Sequence, residues 1–209
     1  MTAARKKHAV SESTRLSRDD WLDAAFRAVV ERGFDNVRVL TLATALGVTR
    51  GSFYWHFVDH AELVAALLAR WRERELATNR SVASHNIADP QEDLQAVLEA
   101  ALAHGGADLE NMRFELALRG LGRRDAKVAT MLLEVDQQRL RLFEGKFLRL
   151  TQDARSAADL AALFYLAIVG SNQALSRPSN PPQLKEYLRS VITDYLIRRH
   201  ATAPAADPR

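Results

Sequence analysis

Val39-Leu40-Thr41-Leu42-Ala43-Thr44-Ala45-Leu46-Gly47-Val48-Thr49-Arg50-Gly51-Ser52-Phe53-Tyr54-Trp55-His56-Phe57 decides how the rest of the chain is read. Val39, Leu42, Ala43 and Leu46 recur at i, i+3, i+4 and i+7, one face of a short helix. Gly47 follows where the chain must turn sharply, because glycine takes positive φ without steric cost. Thr49 suits the N-cap of a second helix whose apolar positions, Phe53 and Phe57, lie one turn apart. Ala43, one turn before Gly47, is small enough to let two helices cross closely. Two short helices on a tight glycine turn form a helix-turn-helix. Its second helix directs Arg50, Ser52, Tyr54, Trp55 and His56 away from the core, as a DNA-reading surface requires.

Working outward, Ser17 with Asp20 forms a capping box that starts a helix near Arg18. Trp21, Leu22, Ala25, Phe26, Val29 and Val30 give that helix a buried face, Gly33 ends it, and Phe34 plugs the three-helix unit. On the other side, Asp59 caps a long fourth helix carrying Leu63, Val64, Leu67, Leu68 and Trp71. The run Arg70-Trp71-Arg72-Glu73-Arg74-Glu75 reads as a solvated face with i,i+4 pairs. No linker precedes this helix, so it acts as a rigid lever.

Gly33-Phe34, Leu42-Ala43, Leu46 through Phe57, and Leu63 together resemble the DNA-binding domain of the TetR family of transcriptional regulators. The likeness covers about a quarter of the chain and departs from the family at two places. Arg38 stands where the family has Ser or Thr, and His60 where it has Lys. The resemblance implies a helix-turn-helix domain over residues 17–60 and a helical ligand-binding and dimerisation domain over 61–200. It further implies a repressor that binds a palindromic operator as a homodimer, through its last two helices, and is released by a small-molecule effector. The alternative is a DNA-binding regulator controlled by a protein partner, or one without an effector.

The remaining chain reads as all-α, about nine helices in total, with no strand pattern. Periodicity lapses over 78–89, and Asp89-Pro90 restarts a helix with Leu94, Val97, Leu98, Ala101 and Leu102 before Gly105-Gly106. A short helix over 109–119 ends at Gly120-Leu121-Gly122, and a longer one runs from Asp125 to about Leu150. Gly145 inside it suggests a close contact or a bend. Ala157 to Leu175 is apolar nearly all round, so a second subunit is expected to cover part of it. After the loop Arg177–Pro182, the stripe Leu184, Tyr187, Leu188, Val191, Ile192, Tyr195 and Leu196 marks a final helix for the same interface. Residues 1–16 read as a disordered basic arm and 201–209 as a disordered tail. The first 18 residues hold Arg5, Lys6, Lys7, Arg15 and Arg18 against Glu12, so the arm is able to reach DNA phosphates.

The formal net charge is +3, too weak by itself to imply nucleic acid. With no cysteine, neither a disulfide framework nor a thiolate metal site is possible. The six histidines are scattered, and neither H-E-x-x-H, G-x-S-x-G nor a phosphate-binding glycine loop occurs, so no catalytic residue, metal or cofactor is expected. The apolar run Leu160–Val169 is too short to span a bilayer and the first residues lack a secretory core, so a cytoplasmic protein is expected.

The candidate DNA contacts are Arg38, Thr49, Arg50, Gly51, Ser52, Tyr54, Trp55, His56 and His60. Arg50 is placed to pair with guanine O6 and N7 in the major groove, or else to hold a phosphate. Gly51 leaves room for backbone approach, and Thr49 and Ser52 offer hydroxyl and N–H groups to a phosphate at the helix N-terminus. Tyr54 and His56 resemble phosphate-binding positions of the family. Trp55 is either a platform for sugars and thymine methyls or a packing residue; Arg38 and cationic His60 are further phosphate candidates. Trp71, Phe114, Phe143 and Tyr165 are the candidates for an effector pocket, with core packing as the alternative for each.

Overall fold

The computed structural model describes residues 16–103, 107–176 and 182–200. These residues form nine α-helices and no strand: α1 (Arg18–Arg32), α2 (Val39–Ala45), α3 (Arg50–Phe53), α4 (His60–Ser84), α5 (Pro90–Ala101), α6 (Ala107–Gly122), α7 (Ala126–Thr151), α8 (Ala154–Leu175) and α9 (Pro182–Ile192). The expected arm before Leu16, the Gly105-Gly106 break, most of the loop before Pro182 and the tail from Ala201 lie outside the described residues.

Aspartate and serine caps set where the helices start. Ser17 and Asp20 close the capping box of α1 reciprocally. Asp59, Asp89, Asp125 and Asp153 each accept first-turn N–H groups of α4, α5, α7 and α8, donors that have no carbonyl inside the helix. Three boundaries differ from expectation. Helix α4 continues to Ser84, because burial of Leu76 and Asn79 carries it past the point where its apolar pattern thins. Helix α6 begins before residue 109 and runs through Gly120 to Gly122. There a Cβ on Gly122 would stand 2.8 Å from Leu132 Cδ1, so the glycine lets α6 and α7 approach. Gly145 makes no such contact: a Cβ there would meet nothing within 4 Å.

The apolar residues gather in two cores. One joins α1, α2, α3 and the first half of α4 to Phe114 and Leu118 of α6 and to Val128, Leu132 and Val135 of α7. The other joins α5, the second half of α7, α8, Ile192 and Ile197. The amino-terminal helices thus share a core with the larger domain rather than closing one of their own. Phe114 of α6 stacks on Phe26 of α1 at 5.0 Å and meets Phe34 edge-on at 5.6 Å.

Helices α7 and α8 form a tight antiparallel hairpin on Gln152, whose φ of 54° turns the chain. Ala157, Leu160, Ala161, Phe164, Ile168 and Ser171 face inward, with Phe164 edge-on to both Phe143 and Phe147. The opposite face of α8 exposes Leu163 and Leu166, while Tyr187, Val191 and Tyr195 are open on and just after α9. The whole of α8, unlike the run to Val169 alone, is long and apolar enough to cross a bilayer by length and composition, with a mean hydropathy of 1.3. In this fold its inner face packs on α7.

Candidate nucleic-acid interface and internal cavity

Helices α2 and α3 meet at Gly47, whose φ of 68° makes the turn. Leu42, Ala43, Phe53 and Phe57 are buried beneath them, with Trp21 edge-on to Phe53 at 5.3 Å and Phe53 stacked on Phe57 at 5.4 Å. The second helix is shorter than its sequence suggests: after Phe53 the chain continues as a hydrogen-bonded turn through Tyr54, Trp55 and His56. That turn brings Phe57 back into the core and lifts the preceding side chains outward.

The outward face is polar and free of carboxylates, since no acid occurs between Asp35 and Asp59. Arg50 and Gly51 are exposed, and Ser52 and His56 are half-buried. Tyr54 is 51% and Trp55 77% exposed, which leaves most of each residue open on this face. Arg50 donates to the Tyr54 hydroxyl at 2.9 Å, and its guanidinium lies 5.8 Å from that ring's centre, which holds the cation in the face. Thr49 occupies the N-cap of α3 without a side-chain cap bond. Arg38 precedes α2 and donates through Nε to the Asp35 carbonyl at 3.1 Å. His60, at the start of α4, is tied by its Nε2 to the Val37 carbonyl, so one ring nitrogen is used within the protein.

Arg18 was grouped with the basic arm by sequence, yet it braces the reading turn. Its guanidinium lies 4.4 Å over the Phe57 ring, donates to the His56 carbonyl at 3.1 Å and pairs with Glu62 at 3.0 Å. Partners 38 and more residues away leave no local pattern by which this role is legible.

A cavity of about 670 Å³ lies between α4, α5, α6, α7 and α8. Phe143 and Tyr165 line it; Trp71 and Phe114 do not, which corrects the expectation for these two. Both are packed into the core shared with α1 and α4, because their helices turn those positions toward the reading head. Val82, Val97, Leu142, Ile168 and Val169 supply further apolar wall.

The polar wall was not anticipated. The charged run of α4 is not a face of i,i+4 pairs: Arg70 reaches Asp23 at 2.7 Å, Arg72 grips Glu134 with two bonds of 2.6 and 2.8 Å, and Glu75 meets Arg139 at 2.7 Å. Arg139 also holds Glu115 at 2.8 Å, while Arg119 bridges Glu115 at 2.8 Å, Asp136 at 2.7 Å and the Tyr165 hydroxyl at 3.0 Å. Burial alone would raise the Glu115 pKa, but the Arg139 bonds and charge, with Arg119 beside them, hold it at about 2. Burial and the Asp136 carboxylate push the Tyr165 hydroxyl up to about 12. At the other end, Lys146 and Asp93 form a buried pair at 2.9 Å, with Arg149 on the same carboxylate. Helix α6 links the two regions, since Glu115 and Arg119 face the cavity while Phe114 and Leu118 sit in the core under the reading head.

Residues 22–67 match the family of bacterial regulatory proteins described as tetR. The chain is similar to the HTH-type transcriptional regulator TtgR of Pseudomonas putida, 38% identical over 79 residues, which is 38% of each chain. Its curated relatives are therefore matched over well under half their length. Over nearly the whole chain the fold is that of a transcriptional regulator from Rhodococcus, with a TM-score of 0.74 and 19% identity, covering 90% of this chain and 100% of that one. A proposed transcriptional regulator from Saccharomonospora viridis, in complex with choline, superposes with a TM-score of 0.71 at 19% identity, over 89% and 98% of the two chains. Residues 22–67 thus carry the amino-terminal domain of the TetR family, on an all-helical fold that the chain shares with solved transcriptional regulators.

Proposed function

We propose that this protein is a cytoplasmic, non-enzymatic transcriptional regulator that binds a palindromic operator as a homodimer and represses until a small-molecule effector occupies its cavity. The observation that carries the reading is the carboxylate-free face of Arg50, Gly51, Ser52, Tyr54 and Trp55, raised on a turn-linked helix pair that shares its core with the cavity wall. Phosphate contacts from such a face supply affinity and Arg50 supplies base choice. One short reading helix meets few base pairs, so two copies on a two-fold axis are needed, with half-sites roughly 34–36 Å apart. The exposed Leu163, Leu166, Tyr187, Val191 and Tyr195 offer the apolar face for that pairing. The cavity favours a small-molecule effector over the alternative of a protein partner, because side chains leave about 670 Å³ unfilled. Ligand shifts the population toward a conformer whose reading heads are misplaced. Selection of bound fragments from the source genome tests the reading: inverted repeats are expected, and Arg50→Ala should lower their affinity by about 1–3 kcal/mol while relaxing one base position per half-site. Recovery of unrelated fragments with no repeat would overturn it.

A further inference from the structure

The ionised groups in and directly behind the cavity wall are already paired with one another. Arg119, Arg139, Lys146 and Arg149 stand against Glu75, Glu115, Asp136 and Asp93, four cations against four carboxylates. None of the eight lacks an opposite charge within 2.9 Å. A carboxylate ligand would have to displace Glu75, Glu115 or Asp93 from its cation, and an ammonium would have to displace an arginine or lysine from its carboxylate. Either leaves a member of a buried or half-buried pair without its partner, which costs more than the new contact returns. Arg74, His85 and Asp108 also line the cavity but are exposed and solvated, so they offer an entering charge little in exchange for its own water.

The wall does hold unmet hydrogen-bonding capacity, and it is neutral. Asn79 on α4, only 9% exposed, has a buried Nδ2 without an acceptor. Asn172 on α8 has a buried Oδ1 without a donor. Both residues line the cavity, among walls formed by Val82, Leu142, Phe143 and Ile168; the two unmet atoms themselves are closed to solvent and reach a bound group by rotation of the amide about χ2. Buried amides left unpaired are costly, so a group that meets them binds with specificity as well as affinity. A hydroxyl both donates and accepts, and a carbonyl accepts.

We propose that the effector is an uncharged, predominantly apolar molecule bearing hydroxyl or carbonyl groups that bond Asn79 and Asn172. This rests on the reading of the cavity as the effector site. It deepens that reading by excluding carboxylate and ammonium effectors, whose charge the wall cannot balance.

Calorimetric titration of the full chain at pH 7 with decan-1-ol, decanoate and decyltrimethylammonium, all below their aggregation limits, tests it. Decan-1-ol should bind at least about tenfold more tightly than either charged probe, the scale of one buried polar group left unpaired. Asn79→Leu and Asn172→Leu, which keep the branched shape of the originals in a larger apolar side chain, should each weaken the alcohol by about the same factor, and their melting curves report whether they fold. The comparison of the three probes on the unaltered chain needs neither variant. Equal or tighter binding of a charged probe would overturn the proposal, as would failure of all three to bind, or full alcohol affinity in both folded variants. Operator release, followed on the same samples, separates the two readings. A charged probe that binds and releases DNA leaves the effector cavity standing and removes the neutral class alone.

Discussion

Glu115→Gln replaces the carboxylate at the centre of the cavity network with a neutral group of the same shape. Glu115 is 18% exposed and accepts from Arg139 through both oxygens and from Arg119 through one. Its pKa falls from 4.5 to about 2 in the folded chain, a difference worth roughly 3 kcal/mol of stability at neutral pH. The amide keeps part of the hydrogen bonding, and Arg119 and Arg139 retain Asp136 and Glu75, so the expected loss at pH 7 is about 2–3 kcal/mol. The sign follows from the depressed folded value. The stabilisation is complete above the unfolded pKa of 4.5 and is lost as pH falls toward 2. The gap between the two proteins should therefore shrink to less than half by about pH 3. Urea unfolding followed by circular dichroism, at fixed protein concentration because any self-association adds to apparent stability, measures the gap at pH 7, 5, 4 and 3. A gap under about 0.5 kcal/mol at pH 7, or one that does not change with pH, would refute the account of this network.

Gly145→Ala, at an exposed mid-helix position with open space for a Cβ, should raise stability by about 0.5–1 kcal/mol, read in the same urea titration. Tyr187→Asp should give monomers in sedimentation if the open face of α9 is the subunit contact, since a carboxylate there would be desolvated. Arg18→Ala should weaken operator binding several-fold, because the His56 carbonyl and the Phe57 ring lose their brace; hydrogen exchange at Tyr54–Phe57 should rise with it.

The reading head was legible because its determinants are local. The Ser17–Asp20 box, the periodic Val39–Leu46 face and Gly47 are each specified within a few residues of where they act, and each takes its expected form. The site behind it was harder to see. Trp71 and Phe114 look like pocket aromatics, but which way each faces depends on how α4 and α6 are rotated against α1. Glu75 and Arg139 are 64 residues apart, and nothing in the run Arg70–Glu75 marks its charges as reaching across helices rather than along one. Charge pairs of this kind are set by packing, so they become visible only once the helices are placed.

Two chains reading one inverted repeat is the claim on which the rest depends, and a titration of the selected duplex across salt concentration tests it most directly. The account requires two chains per duplex, an affinity that falls steeply and linearly in log salt, and a preference of about a thousandfold or more over a scrambled duplex. One chain per duplex, bound equally to the scrambled sequence, would contradict it.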